Sequence, residues 1–227
     1  DVRVLRGAVT LSLRNELLAT SRRMAELGLA PGTSGNVSVR TSHGFLVTPS
    51  AIPYDKLQPD DMVEVRDDGT LRPNQRVPSS EWQLHRDLMA TRREAVAIVH
   101  THSPFCTTIA CLRQPLPAIH YMIALAGTAE IPCADYATYG SAELAHNVAR
   151  ALGDGKAALM ANHGMVALGD SLAAALKLAA EIETVAGLYW RALQIGTPVI
   201  LPADEIQRVA AKFAAHGQPT SKTKRSW

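Results

Sequence analysis

An apolar run, Ala95-Val96-Ala97-Ile98-Val99, ends directly in His100-Thr101-His102. Side chains two residues apart on an extended chain point the same way, so both imidazoles can reach one cation. A lone histidine at a strand end is usually an ordinary polar residue, and the pair alone leaves the two readings evenly balanced. The stretch that leads to it, 79–102, opens with Ser79-Ser80-Glu81-Trp82 at the start of a helix of about a dozen residues, with Trp82, Leu84, Leu88 and Met89 as buried candidates. Serine is a favoured N-cap, and a helix start suits anions. Glu81 therefore has a cheap structural explanation as an acidic residue in a first turn. His85 shares its face one turn on, as a ligand or as a surface or supporting histidine; the second reading is preferred because the later histidines are better placed. A third such histidine, His163, stands in Ala161-Asn162-His163-Gly164 between two strand-like runs. Glu81 with His100, His102 and His163 suggests one catalytic divalent-metal site.

The other elements follow from periodicity. Leu5, Val9, Leu13, Leu17, Met24 and Leu27 recur at helical spacing over 4–27, and Gly28 with Pro31-Gly32 ends that helix. Thr33-Ser34-Gly35-Asn36 then reads either as an anion-binding nest or as a plain tight turn, the commoner case. Strands are expected at 37–40 and 45–48 with a turn at His43-Gly44, then at 62–65 with a further hairpin after Asp67-Asp68-Gly69. Short helices are expected at 105–112 and from Ser141 to Leu152. The strands 157–160 and 165–168 flank His163, and long helices cover 171–195 and 203–215. No repeat or long linker divides the chain, so a single α+β domain over 1–217 is expected, with a tail at 218–227.

Composition narrows the function. The hydrophobic share is 47% with only 5% aromatic, so the core is aliphatic. A net charge of +2 gives no case for nucleic acid or an anionic membrane as partner. Three cysteines without a C-x-x-C spacing argue against a disulfide framework or a cysteine zinc knuckle. No apolar run approaches the roughly 20 residues of a membrane span, and the N-terminus shows no signal pattern. A cytoplasmic location is the expectation.

Four motifs in order, Gly32-Thr33-Ser34-Gly35-Asn36-Val37-Ser38, Ser79-Ser80-Glu81-Trp82, His100-Thr101-His102 and Asn162-His163-Gly164, resemble the class II aldolase/ribulose-phosphate epimerase (aldolase/adducin) family. The run Pro117-Ala118-Ile119-His120-Tyr121-Met122-Ile123-Ala124, continuing through Ile131-Pro132-Cys133-Ala134 and Tyr136-Ala137-Thr138, is similar to the branch that cleaves L-fuculose 1-phosphate. The resemblance implies a three-layer α/β/α fold with a central, mostly antiparallel sheet. It implies one Zn²⁺ on His100, His102 and His163, with Mn²⁺, Co²⁺ or another divalent ion as the alternative, and Glu81 as both metal neighbour and base. It implies phosphate contacts from Gly35, Asn36, Ser50, Ser79 and Ser80. Tyr121 would assist protonation at the aldehyde end across a subunit boundary of a homotetramer.

Two departures from that branch stand out. Ser50-Ala51 stands where it has Thr-Gly, and His216 stands where it has a tyrosine near the substrate, so the aldehyde could differ from L-lactaldehyde. Reversible cleavage to dihydroxyacetone phosphate and an aldehyde is the leading expectation, from L-fuculose 1-phosphate or from 5-deoxyribulose or methylthioribulose 1-phosphate. A Schiff-base aldolase needs a buried lysine, and Lys56, Lys156 and Lys177 sit in polar contexts. An epimerase, dehydratase or decarboxylase would use the same metal differently. A non-catalytic adducin-like scaffold need not keep Glu81 and all three histidines.

Overall fold

Alternation along the β-rich third of the chain folds into strands that bury both faces of one sheet. The computed structural model describes the backbone of residues 2–215 and the side chains of 11–215; His216 and the 218–227 segment lie outside the described residues. Strands β1 (Asn36–Thr41), β2 (Gly44–Val47), β3 (Val63–Arg66), β4 (Ala97–Thr101), β5 (Leu116–Pro117), β6 (Glu130–Ile131), β7 (Cys133–Ala134), β8 (Ala157–Met160) and β9 (Gly164–Gly169) alternate with six α-helices. The helices are α1 (Val2–Glu26), α2 (Trp82–Thr91), α3 (Pro104–Cys111), α4 (Ala142–Leu152), α5 (Leu172–Ile195) and α6 (Ala203–Ala215). Two 3-10 turns cover Pro59–Asp61 and Tyr121–Ala126.

The main sheet has the order β3-β2-β1-β4-β9-β8-β7, antiparallel except for the β7–β8 edge pair. The pair β5–β6 stands apart. On β4, Ala97 and Val99 join the cluster formed with α1, α3 and α5, whereas Ile98 joins Leu84, Leu88 and Met89 of α2 and Leu144 and Val148 of α4 on the opposite face. Period-two alternation thus separates two cores, giving the expected three layers. His100 follows Ile98 by two, so its ring lies on the α2 side. In register it faces Asn36 of β1 and Val166 of β9.

Several boundaries shift. β4 runs to Thr101, so His100 is a fully buried strand residue rather than one at the strand's exit. The first hairpin turns at Ser42-His43, with Thr41 opposite Gly44, because Gly44 at φ 148 starts β2. The hairpin expected after Gly69 reduces to the single bridge Val65–Leu71. α2 begins at Trp82, whose half-buried side chain packs against the edge of the α2-side core with Arg86 over its ring. Leu27, just past the end of α1, and Leu193, in the last turn of α5, are exposed. Along α5, by contrast, Leu172, Ala175, Leu176, Ala179, Ile182, Val185 and Ala186 are buried as the periodicity requires, and Ser171 Oγ caps the helix by accepting from Ala174 N.

Candidate metal centre and active site

Three segments deliver the four ligand atoms: Glu81 before α2, His100 and His102 at the end of β4, and His163 on the β8–β9 turn. Glu81 immediately precedes α2 at φ −105, ψ 15, and its carboxylate makes no capping bond. The carboxylate is therefore not spent on a capping bond. Ser79 instead braces the turn, its Oγ accepting from Glu81 N and its carbonyl from Trp82 N. Freed from capping, Glu81 Oε2 lies 3.0 Å from His100 Nε2 and Oε1 lies 3.2 Å from His163 Nε2. His102 Nε2 is 3.0 Å from His100 Nε2. All four ligand atoms fall within 4.8 Å of one another.

The chain has room for this only because of two glycines. A side chain at Gly164 would place its Cβ 2.1 Å from Thr101 O, and one at Gly35, already at φ +75, would place it 2.7 Å from His100 O. Both strands beside β4 can therefore close on the histidine segment.

The donor set fits a cation on its own chemistry. His100 Nδ1–H donates to Met165 O at 2.9 Å, which fixes the tautomer and turns a bare Nε2 inward. Two imidazole nitrogens at 3.0 Å and a buried Glu81 Oε1 without a hydrogen-bond partner are costly arrangements unless a positive charge sits among them. The three rings stand nearly perpendicular to one another, with centroids 4.8–4.9 Å apart. Three imidazoles and one carboxylate are a donor set that suits Zn²⁺.

Electrostatics favour the deprotonated, ligating form at three of the four groups, Glu81, His102 and His163, and the protonated form at His100. Burial opposes the charge on Glu81, but the facing His100 and then His163 and Asn36 outweigh it and hold the carboxyl well below its usual range. Burial, reinforced by the neighbouring His100 and His163, pushes His102 down to about 4. Burial and His100 likewise push His163 down to about 4. Burial also works against charge on His100, and the Glu81 carboxylate more than offsets it, raising that pKa.

His85 is not at the surface. It is wholly buried and forms a chain with three other residues: Ser38 Oγ–H donates to His85 Nδ1 at 2.6 Å, His85 Nε2–H to Asn36 Oδ1, and Asn36 Nδ2 to Glu81 Oε2 at 3.1 Å. Burial drives its pKa down to about 3, so it serves as a neutral supporting group.

An open cavity of about 300 Å³ covers the cluster. Gly35, Asn36, Ser50, Ser79 and Ser80 all line it together with Glu81, His102 and His163. The Asn36 side chain, however, is committed to Glu81 and His85. Ala51 sits in the left-handed region at φ 59, a conformation that a glycine adopts without strain. Tyr54 O–H donates to Gly35 O at 2.8 Å, tying the glycine loop to the core. Tyr121 does not line this cavity; it is 46% exposed and packs on His120 and Phe213. Tyr136, Tyr139 and Asn162 line it unforeseen as contact groups. The only sequence signal for Tyr136 and Asn162 is membership of the quoted motifs, and Tyr139 stands one residue past one of them. Lys56, Lys156 and Lys177 are all exposed, as a metal-based rather than Schiff-base site requires.

Comparison with known proteins agrees with this geometry. Residues 15–190 match the family described as Class II Aldolase and Adducin N-terminal domain. A 5-methylthioribulose-1-phosphate/5-deoxyribulose-1-phosphate aldolase from Rhodospirillum rubrum is 48% identical over 207 residues, covering 91% of this chain and 93% of the relative. An L-fuculose phosphate aldolase from Escherichia coli is 44% identical over 206 residues, covering 90% and 95%. A solved L-fuculose 1-phosphate aldolase superposes with a TM-score of 0.87 at 39% identity, covering 89% of this chain and 96% of that one. The chain belongs to the class II aldolase and adducin N-terminal domain family.

Proposed function

We propose that this protein is a zinc-dependent aldolase that reversibly cleaves the 1-phosphate of a deoxyketose into dihydroxyacetone phosphate and an aldehyde. The observation that carries the reading is the convergence of Glu81, His100, His102 and His163 on the floor of a cavity walled by serine and glycine loops. L-fuculose 1-phosphate and the 5-deoxyribulose and 5-methylthioribulose 1-phosphates are the substrates to test, and the 48% identity of the Rhodospirillum relative favours the pentulose phosphates.

His100, His102, His163 and Glu81 would hold the ion, whose positive charge stabilises the negative charge that cleavage leaves on the ketose fragment. In cleavage the electron pair of the broken C–C bond stays on that fragment. The hydroxyl across the bond loses its proton as it becomes the aldehyde; that proton passes by way of water to the ionised Glu81, which in its resulting acid form delivers it to the ketose carbon. In condensation the ionised Glu81 takes the same proton back, and its low pKa keeps it ready as that base. Gly35, Ser50, Ser79 and Ser80 surround the phosphate and hold the reacting carbons in register. Asn36 contributes from the same wall by holding Glu81. Tyr121 assists at the aldehyde oxygen of a neighbouring subunit in a homotetramer; its exposure, and its absence from its own chain's cavity, support a role across a boundary. Residues 1–217 form the single catalytic domain.

The test is release of dihydroxyacetone phosphate from each substrate, with chelator and after zinc restoration. Release that chelator abolishes and zinc restores is expected. A zinc-loaded protein that releases none from any of them refutes the aldolase reading and brings the epimerase, dehydratase and decarboxylase reactions forward.

A further inference from the structure

Beside His163 lies a group that the mechanism above does not use. The β8–β9 turn carries Asn162 at φ 54, next to His163 and lining the same cavity. Its amide oxygen accepts from Arg113 Nε at 2.8 Å. Arginine has donors only, so this contact settles which way the amide is flipped. Oδ1 faces Arg113, and the two N–H donors of Nδ2 are left for another partner. None is present among the described residues.

The rim that holds Asn162 is built rigidly. Ala110 O, at the end of α3, accepts from both Arg113 N at 3.0 Å and Asn162 N at 3.1 Å. Arg113 is itself in the left-handed region at φ 55, and its guanidinium lies over the ring of Tyr136, another cavity residue, at 5.8 Å. No carboxylate pairs with Arg113 among the described residues, so its positive charge stands unneutralised at the mouth of a cavity read here as anion-binding.

Sheet order separates this rim from the phosphate wall. Gly35 leads into β1 and Ser50 follows β2, while Ser79 is tied to the β2 exit through Ser79 N donating to Thr48 O. Asn162 stands on the other side of β4, on the turn joining β8 to β9. A ligand whose phosphate lies on the first wall and whose carbons lie over the metal ligands meets Asn162 with its carbon-chain oxygens.

We propose that Asn162 is a substrate-contacting residue that donates from Nδ2 to a hydroxyl or carbonyl oxygen of the ketose fragment, and that Arg113 is its positioning residue. This rests on the aldolase reading, and the experiment separates the two. Dissociation constants for dihydroxyacetone phosphate and for inorganic phosphate are measured on the zinc-loaded wild type, Asn162→Ala, Arg113→Gln and the double variant, beside KM and kcat.

Loss of one neutral hydrogen bond weakens binding by up to about tenfold. Asn162→Ala is expected to weaken dihydroxyacetone phosphate binding and raise KM by about that factor, with kcat changed less than about twofold. Inorganic phosphate binding should stay at the wild-type value. Arg113→Gln should act in the same direction and add little in the Asn162→Ala background. Wild-type affinity for dihydroxyacetone phosphate in Asn162→Ala overturns the contact, and so does an equal loss for inorganic phosphate. Full additivity of the two substitutions overturns the positioning role. A wild type that binds dihydroxyacetone phosphate yet cleaves no substrate refutes the aldolase reading while leaving the contact to be judged on the binding data.

Discussion

Asn36 Nδ2 donates to Glu81 Oε2 at 3.1 Å across 45 residues of chain, and both side chains are buried. This bond ties the end of β1 to the start of α2 and fixes the carboxylate without taking its charge. Asn36→Ala removes it and leaves His85 Nε2–H without an acceptor. Turnover should fall by about 10–100-fold, the usual cost of losing a group that orients a metal neighbour. The metal content should stay near one per chain, because the three imidazoles are untouched. Atomic absorption beside steady-state kinetics checks this, and unchanged kcat would remove Asn36 from the machinery.

His85 gives a pH signature. Its folded pKa is about 3, against 6.5 for the exposed side chain. Between those values the unfolded chain binds a proton that the native protein does not, so native stability falls as pH drops through the unfolded pKa. The slope is about 1.4 kcal/mol per pH unit for one group. His85→Gln cannot titrate. Urea unfolding of metal-free protein at pH 7, 6 and 5 should show the wild type's stability advantage over His85→Gln shrinking toward acid. A difference that stays constant with pH would contradict a buried neutral His85.

Glu183 bears on His102 from a distance. Its two carboxylate oxygens accept from Phe105 N and Cys106 N at 2.8 Å each, at the start of α3. Ser103, the formal N-cap, makes no capping bond and instead accepts from Thr101 Oγ1. Capping thus comes from α5, and α3 begins two residues after His102. Glu183→Ala should cost about 1–2 kcal/mol of stability, as cap removal does. It should also weaken zinc retention in a chelator competition. Intact zinc affinity with lowered stability would confine Glu183 to a structural role.

The parts of this site that are legible in the sequence are those whose geometry is local. His100 and His102 share a side because strand periodicity puts them there, and the Gly after His163 announces a close backbone. The two-layer burial of β4 and the stripe of α5 follow from periods of 2 and 3.6 in the same way. Long-range partners are not legible. Nothing near His85 in the chain signals Ser38 and Asn36, 47 and 49 residues away, so the sequence leaves a surface histidine and a supporting one undivided. Arg113 and Asn162 meet because two left-handed turns share the Ala110 carbonyl, a coincidence of backbone that residue types alone do not encode. Glu81 was legible as a residue but not in its orientation, since a first-turn acid and a metal neighbour carry the same letter.

That last ambiguity yields the most direct substitution. Glu81 Oε1 is buried without a hydrogen-bond partner and Oε2 accepts from Asn36, so the carboxylate is held by the centre it faces and not by the helix it precedes. Glu81→Gln keeps the volume and one amide oxygen but removes the proton carrier. His100, His102 and His163 remain to bind zinc, so the metal should be retained. Turnover should fall by about 10²–10⁴-fold, the range that general acid–base catalysis contributes. Metal analysis, kcat in both directions and exchange of the carbon-bound proton of dihydroxyacetone phosphate with solvent would be read together. Exchange isolates the Glu81 step, because it needs no aldehyde. Retained zinc with lost exchange assigns the proton transfer to Glu81. Lost zinc would make Glu81 a required ligand, and wild-type exchange would remove it from the reaction altogether.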